Sequence, residues 1–192
     1  MTCLERRCSM NPIYVVLIAI AIIALIFVVW YISTSNKLNI LVVKVDESLS
    51  GIDIALTKRY DVLTKMIDVV KAYSKHEKET LFEVIKLRDN MSLKEKSNVN
   101  HAMDENLKKI NIIAENYPEL KSSENYQTLQ QSIADVEEHL QAARRLYNSN
   151  VSLYNQQLVT FPTSVVAKNK GMTKKDFFEI DEIKRNDVKI EL

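Results

Sequence analysis

Apolar residues run unbroken from Ile13 to Ile32, twenty positions without a charge. A helix of that length is about 30 Å long, the thickness of a bilayer's hydrocarbon core. Arg7 is the last basic residue before the run and Lys37 the first after it. Tyr14 stands near one end and Trp30 with Tyr31 at the other, where amphipathic rings favour the headgroup level. A core helix apolar on every face would need a larger protein around it. The pattern therefore predicts a single membrane span. A cleaved signal peptide is the competing reading: its apolar region is usually about 7–15 residues, shorter than this one, but Ser33-Thr34-Ser35 could pass as a small-residue cleavage site. A lipoprotein signal does not fit, because Cys3 and Cys8 precede the run.

Past the run the pattern changes to a heptad. Leu38, Val42, Val45, Leu49, Ile52, Leu56, Arg59, Leu63, Met66, Val70 and Tyr73 alternate in steps of four and three, and ten of these eleven are apolar. Such spacing predicts one helical seam facing partner helices. No proline interrupts it, so the helix can leave the membrane continuously through Ser33-Thr34-Ser35-Asn36. Ser74-Lys75-His76-Glu77 reads as a capping box that ends the first helix and starts the second.

The second helix carries Leu81, Val84, Ile85, Arg88 and Met91, then Met103, Leu107, Ile110, Ala114 and Tyr117. Between them the pattern is weak and polar. The expectation is one long helix with a soft middle, with a break near 92–98 as the alternative. Pro118 closes it. Ser122-Ser123 caps a third helix with the stripe Tyr126, Leu129, Ile133, Val136, Leu140, Ala143, Tyr147, Val151, Tyr154 and Leu158, ended by Phe161-Pro162. The three helices have about 36, 41 and 35 residues, or roughly 50–60 Å each. Similar lengths and short connections favour antiparallel neighbours. Val165, Val166, Phe177 and Phe178 can pack as a fourth, smaller element.

The predicted fold is thus all-α: an antiparallel up-and-down bundle of three long helices with a short C-terminal element, behind an N-terminal transmembrane helix. The expected divisions are a head over 1–11, the span over 12–35, the bundle over 36–180 and a charged tail over 181–192. Composition agrees with long helices. Two glycines and three prolines stand where average usage would give roughly twenty-odd, and breakers this rare leave few turns.

Charge and chemistry narrow the function classes. With 26 basic and 25 acidic residues the net charge is +1, and no nucleic-acid partner is expected. Both cysteines lie in the first eight residues, so the bundle has no disulfide. Basic residues on the two flanks of the span nearly balance, more so if Met1 and not Met10 is the start, and leave topology open. A metal site in a helical bundle would use Glu-x-x-His pairs. Tyr73, Asn98 and Val136 stand three residues before His76, His101 and His139, so that motif is absent. No glycine-rich phosphate loop or Cys-His pair occurs either. The sequence points away from an enzyme, and no cofactor is expected.

Two polar features stand out. Arg59 falls on the apolar seam, where it either snorkels to the surface or meets a carboxylate. Glu137, Arg144, Asn148 and Asn155 follow at steps of seven, four and seven, a polar stripe beside the apolar one on the third helix. Ordinary flanking charge of a coiled coil explains such a stripe, as does a buried network or a partner groove. If Arg59 is dry, Glu137 is its expected partner.

The order of blocks resembles the LemA family. Asn36-Lys37-Leu38 follows the span. Gly51-Ile52-Asp53-Ile54-Ala55-Leu56-Thr57-Lys58-Arg59-Tyr60-Asp61-Val62-Leu63 is similar to its helix-one signature. Ala72-Tyr73-Ser74-Lys75-His76-Glu77, then Arg88, then Glu115-Asn116-Tyr117-Pro118-Glu119-Leu120-Lys121 with Asn125 come next. Ala143-Arg144-Arg145-Leu146-Tyr147-Asn148, Tyr154-Asn155, Phe161-Pro162 and Phe177-Phe178 complete the series. One departure is Leu63-Thr64-Lys65-Met66, where the family often has Ile-Pro-Asn-Leu; this chain lacks the proline that would kink the helix. The resemblance implies a bacterial, single-pass protein of the cell membrane, its bulk often cytoplasmic, with no established biochemical activity to carry over.

The expected function is a non-catalytic membrane-anchored scaffold or partner-binding module. Its partners would be the lipid bilayer and another membrane-associated protein. Self-assembly into a homo-oligomer that shapes the membrane is the alternative, and a bundle metalloprotein a more distant one. The residues expected to carry structure or partner contact are Arg59, Tyr60, Asp61, His76, Glu77, Arg88, Asn125, Glu137, Arg144, Asn148 and Asn155.

Overall fold

A computed structural model describes residues 12–73 and 91–178. The elements in order are α1 (Pro12–Tyr73), α2 (Leu93–Asn116), α3 (Pro118–Ser122), α4 (Glu124–Val159) and α5 (Thr163–Asn169). Among the described residues there is no strand, and the fold is an all-α bundle preceded by an apolar helix. The capping box at Ser74, the apolar residues Leu81, Val84 and Ile85, the head and the charged tail fall outside the described residues, as do His76, Glu77 and Arg88.

α1 joins the apolar run and the heptad seam in one helix of 62 residues, about 93 Å long. It passes through Ser33-Thr34-Ser35-Asn36 without a break. Gly51 lies inside it with open space around its Cα, so the helix tolerates a glycine there rather than needing one. From Leu38 to Val70 every seam residue is buried or half-buried, while Tyr73 at the end is exposed. The apolar run is different. It is long and apolar enough to cross a membrane, and none of its most apolar stretch is buried by the rest of the protein.

The second long helix is interrupted at Ser92, whose backbone is extended, and the polar stretch after it is helical. α2 starts after Ser92, whose Oγ accepts from the Glu95 backbone N–H while the Glu95 carboxylate accepts from the Ser92 backbone N–H at 2.7 Å. This reciprocal cap satisfies donors that a helix start leaves open, and it fixes the start within the soft stretch. Pro118 ends α2 as expected and also opens the single turn α3, where its missing N–H costs nothing. Ser123 caps α4 by accepting from the Tyr126 N–H.

α4 runs antiparallel to α1: Asn150 Nδ2 donates to the Lys44 carbonyl, and further along α1 Arg59 meets Glu137. α2 lies beside α1 in the same direction, with Lys96 on Asp53 and Asp104 on Arg59. Three apolar clusters follow one another along α1. The distal one joins Leu63, Met66 and Val70 to Met103 and Ile110 of α2 and Ile133 of α4. The middle one joins Val45, Ile52 and Leu56 to Leu140, Tyr147, Val151 and Tyr154 of α4, with Phe178. At the end near the apolar run, Leu38 packs with Val166 and Ala167 of α5, and Trp30 and Tyr31 close over them.

The short C-terminal element has two parts. α5 buries Val166, while Val165 is exposed. Gly171, with φ +65°, turns the chain out of α5 in a conformation glycine accepts at no steric cost. Residues 172–178 then run without helical structure along α4, burying Phe178 and leaving Phe177 exposed.

Candidate functional site

Arg59 is 1% exposed on the border between the distal and middle clusters. Heptad spacing puts its Cα on the seam, and facing helices block the route to solvent. Its guanidinium is held from two directions. Nη1 donates to Asn100 Oδ1 at 2.6 Å and to the Asn100 carbonyl at 3.2 Å. Nη2 meets Asp104 Oδ1 at 2.5 Å and the Glu137 carboxylate. A buried cation persists only with such partners. The seam register anticipates Glu137; Asn100 and Asp104 come from α2, one turn apart on the face towards α1.

Arg144 lies two turns further along α4. Its guanidinium carbon sits 5.1 Å from the centre of the Phe178 ring, a cation–π arrangement. Its Nε is buried with no hydrogen-bond partner among the described residues. Burial, and then the positive charge of Arg59, hold the Arg144 pKa below its usual range, with Glu137 and Asp104 opposing the shift. Two arginines and two carboxylates thus form a charge-balanced cluster inside the bundle.

The rest of the polar stripe has another role. Asn148 Nδ2 donates to the Phe178 carbonyl at 3.1 Å and Oδ1 accepts from the Phe178 N–H at 2.8 Å. Asn155 does the same for Lys175, at 2.9 and 3.0 Å. Tyr147 and Tyr154 add hydroxyl donors to the Asp176 and Thr173 carbonyls, each at 3.0 Å. The spacing explains the fit. Seven residues of helix rise about 10.5 Å, and three residues of extended chain advance about 10 Å. One heptad of α4 therefore matches three residues of the C-terminal segment, and the two repeated Tyr-Asn pairs bind it antiparallel. The groove holds the chain's own segment.

Of the other anticipated residues, Tyr60 packs against the distal cluster, Asp61 is exposed, and Asn125 is exposed at the start of α4. None of the three joins the charge cluster or the tail clamp. Among the described residues no three His, Cys, Asp or Glu side chains gather as a metal site requires. A cavity of about 730 Å³ opens between α2 and α4, lined by Asn111, Glu115, Lys121, Tyr126, Gln127 and Gln130 among others. Tyr126, Gln130 and Asn111 hydrogen-bond one another there.

Comparison with known proteins gives two findings. The model of the LemA family matches residues 48–192. Protein LemA of Metamycoplasma hominis is 29% identical over 171 residues, covering 85% of this chain and 77% of that protein.

Proposed function

Because the chain belongs to the LemA family, we propose that it is a non-catalytic membrane-anchored scaffold that holds a partner protein at the bacterial cell membrane. The observation that carries this reading is the continuity of α1, whose apolar run and bundle seam are one helix. A helix fixes both the height and the facing of the bundle above a bilayer, which a flexible tether would not. The charge cluster and the clamped segment stiffen the same unit. The bulk of the chain is assigned to the cytoplasm, so protease added to intact spheroplasts should leave it whole; digestion would reverse that assignment.

Photo-cross-linking in intact cells tests the scaffold. The cross-linker is placed in turn at Ile54, Ile112 and Leu146, three exposed apolar positions on three helix faces. A discrete adduct with a second membrane-associated protein is expected from at least one face. It should weaken when a flexible Gly-Ser insert after Ser35 uncouples bundle from span. An adduct only with itself would replace the scaffold by self-assembly. No adduct at any position, or stoichiometric iron, manganese or zinc in the purified full chain, would overturn the reading.

A further inference from the structure

The end of the bundle nearest the apolar run carries surface that the core does not use. Asn150 lies opposite Lys44. From Asn150 to Val159 α4 descends nine residues, about 13.5 Å, and an equal descent on α1 reaches the neighbourhood of Ser35. The turn between α4 and α5 therefore sits where the apolar run ends. Two further contacts give the same level. Val166 and Ala167 of α5 share a cluster with Trp30, Tyr31 and Leu38. Lys170 Nζ donates to Ser35 Oγ at 2.8 Å and Asn39 Oδ1 at 2.7 Å.

At that level Phe161 is 80% exposed, Val159 63% and Val165 48%. Lys37 and Lys168 are exposed at the same level. Apolar tips flanked by lysines suit the boundary between headgroups and acyl chains, where the ring enters hydrocarbon and the ammonium groups stay among phosphates.

We propose that the α4–α5 turn, with Phe161 at its tip, inserts into the headgroup–acyl boundary beside the span as a second membrane contact. The proposal rests on the reading of 13–32 as a span. The occupant is bilayer lipid, because the patch lies at the end of the uncovered apolar helix, level with Trp30 and Tyr31. Two footings, one spanning and one interfacial, fix the tilt of the bundle as well as its height.

The test uses the full chain with Cys3 and Cys8 replaced by serine, in vesicles of phosphatidylcholine and phosphatidylglycerol. Single cysteines are introduced as Phe161→Cys, Leu153→Cys and Val28→Cys and labelled with a polarity-sensitive dye. Leu153 is exposed eight residues up α4, roughly 12 Å from the turn. The label at Phe161→Cys is expected to shift to the blue and lose most of its emission to lipids carrying a quencher near the headgroup. At Leu153→Cys it should keep its emission, and at Val28→Cys it should be quenched by deeply placed quenchers. Quenching at Val28→Cys without quenching at Phe161→Cys overturns the second contact and leaves the span standing. Loss of quenching at both overturns the span and the contact together. Equal quenching at Phe161→Cys and Leu153→Cys describes a bundle lying on the membrane and also overturns the proposal. A polar spin label at Phe161→Cys, read by collision with oxygen against a water-soluble nickel chelate, excludes insertion driven by the dye: higher oxygen access supports the contact and higher nickel access overturns it.

Discussion

The distal half of the bundle and the half nearer the apolar run bury the same seam against different third layers. Beyond Arg59, α1 and α4 are joined by α2, and the core is side chain against side chain: Leu63, Met66, Met103, Ile110 and Ile133. Nearer the apolar run only the start of α2 remains, with Leu93 packed against the middle cluster. There α5 and the segment 172–178 cover the seam, and Phe178 enters the core. A helix arrives with its backbone hydrogen bonds made internally. An extended segment does not, and buried N–H and C=O groups need partners. Asn148, Asn155, Tyr147 and Tyr154 supply them. The polar stripe on α4 is what an extended third layer requires, and no such stripe is needed where the third layer is a helix. Arg59 stands between the two cores, with α2 still beside it through Asn100 and Asp104.

The largest test of the comparison is that border. Arg59→Met would leave Asp104 and Glu137 facing each other without their cation. Losing one partner of a buried pair costs about 3–5 kcal/mol, and about 2–4 °C per kcal/mol for a domain of this size gives a fall of very roughly 10 °C in Tm. Glu137→Gln should cost less than Arg59→Met, because Asp104 still holds Nη2. Arg59→Met with Glu137→Leu should recover much of the loss, with Asp104 left to face Arg144. Thermal unfolding followed by circular dichroism reads all three. Melting of both single variants within about a degree of the parent, a change well under 1 kcal/mol, would mean that the border carries no stability.

The second test separates the halves. Asn148→Ala strips the Phe178 N–H and carbonyl of their partners. Leaving buried groups unpaired costs about 1–3 kcal/mol. Hydrogen exchange should speed up at Phe178 and Lys175 while Ile110 and Ile113 in the distal core keep their protection. Unchanged exchange at Phe178 would mean that the clamp does not hold the segment.

Much of this was legible in the sequence, and the misses share a cause. Heptad spacing predicts the α1 seam residue by residue, because a helix converts sequence steps into one face. It also places Arg59 on that face and Glu137 within its reach. Asn100 and Asp104 escape it, since the polar stretch around them hides where α2 begins. The signal was present in Ser92 and Glu95, a capping-box spacing of the same kind as that read at Ser74. The C-terminal segment escapes for another reason. Extended chain bound by side chains leaves no periodicity of its own, and its mark lies on its partner, in Tyr147-Asn148 and Tyr154-Asn155 repeated one heptad apart. Tyr147 and Tyr154 read as apolar seam residues; their hydroxyls act in the clamp as well.

A smaller effect is expected at the start of α2. Ser92→Ala removes the side-chain cap, which typically costs about 1 kcal/mol. Exchange should quicken in the first turn, at Glu95 and Lys96, and the Lys96–Asp53 pair should loosen with it. Phe178 should keep its protection. If the segment 172–178 loosened as much as α2, the two halves would not be independent.

The smallest effect sharpens the comparison by pH, because each half holds a buried tyrosine whose pKa is raised, Tyr126 in one and Tyr147 in the other. Burial raises the pKa of Tyr126 in the distal half, and a hydrogen bond with Gln130 opposes the rise. Burial also raises the pKa of Tyr147 in the half nearer the apolar run, and the negative charges of Asp176 and Asp46 add to it. In the unfolded chain both phenols ionise near pH 10. A group that holds its proton more tightly when folded gives stability that is present below that pH and is lost as pH rises through the folded pKa. Tm should therefore decline on going from about pH 9 to about pH 11. Tyr147→Phe should begin lower, by about 1 kcal/mol for the lost bond to the Asp176 carbonyl, but should decline less steeply. Tyr126→Phe should flatten the decline less than Tyr147→Phe, because the causes at Tyr126 partly cancel. Lysines titrate in the same window, but they are common to all three proteins and drop out of the differences. Parallel declines in the parent and Tyr147→Phe would mean that the Tyr147 phenol keeps its ordinary pKa when folded, and that the extended layer does not bury its hydroxyl.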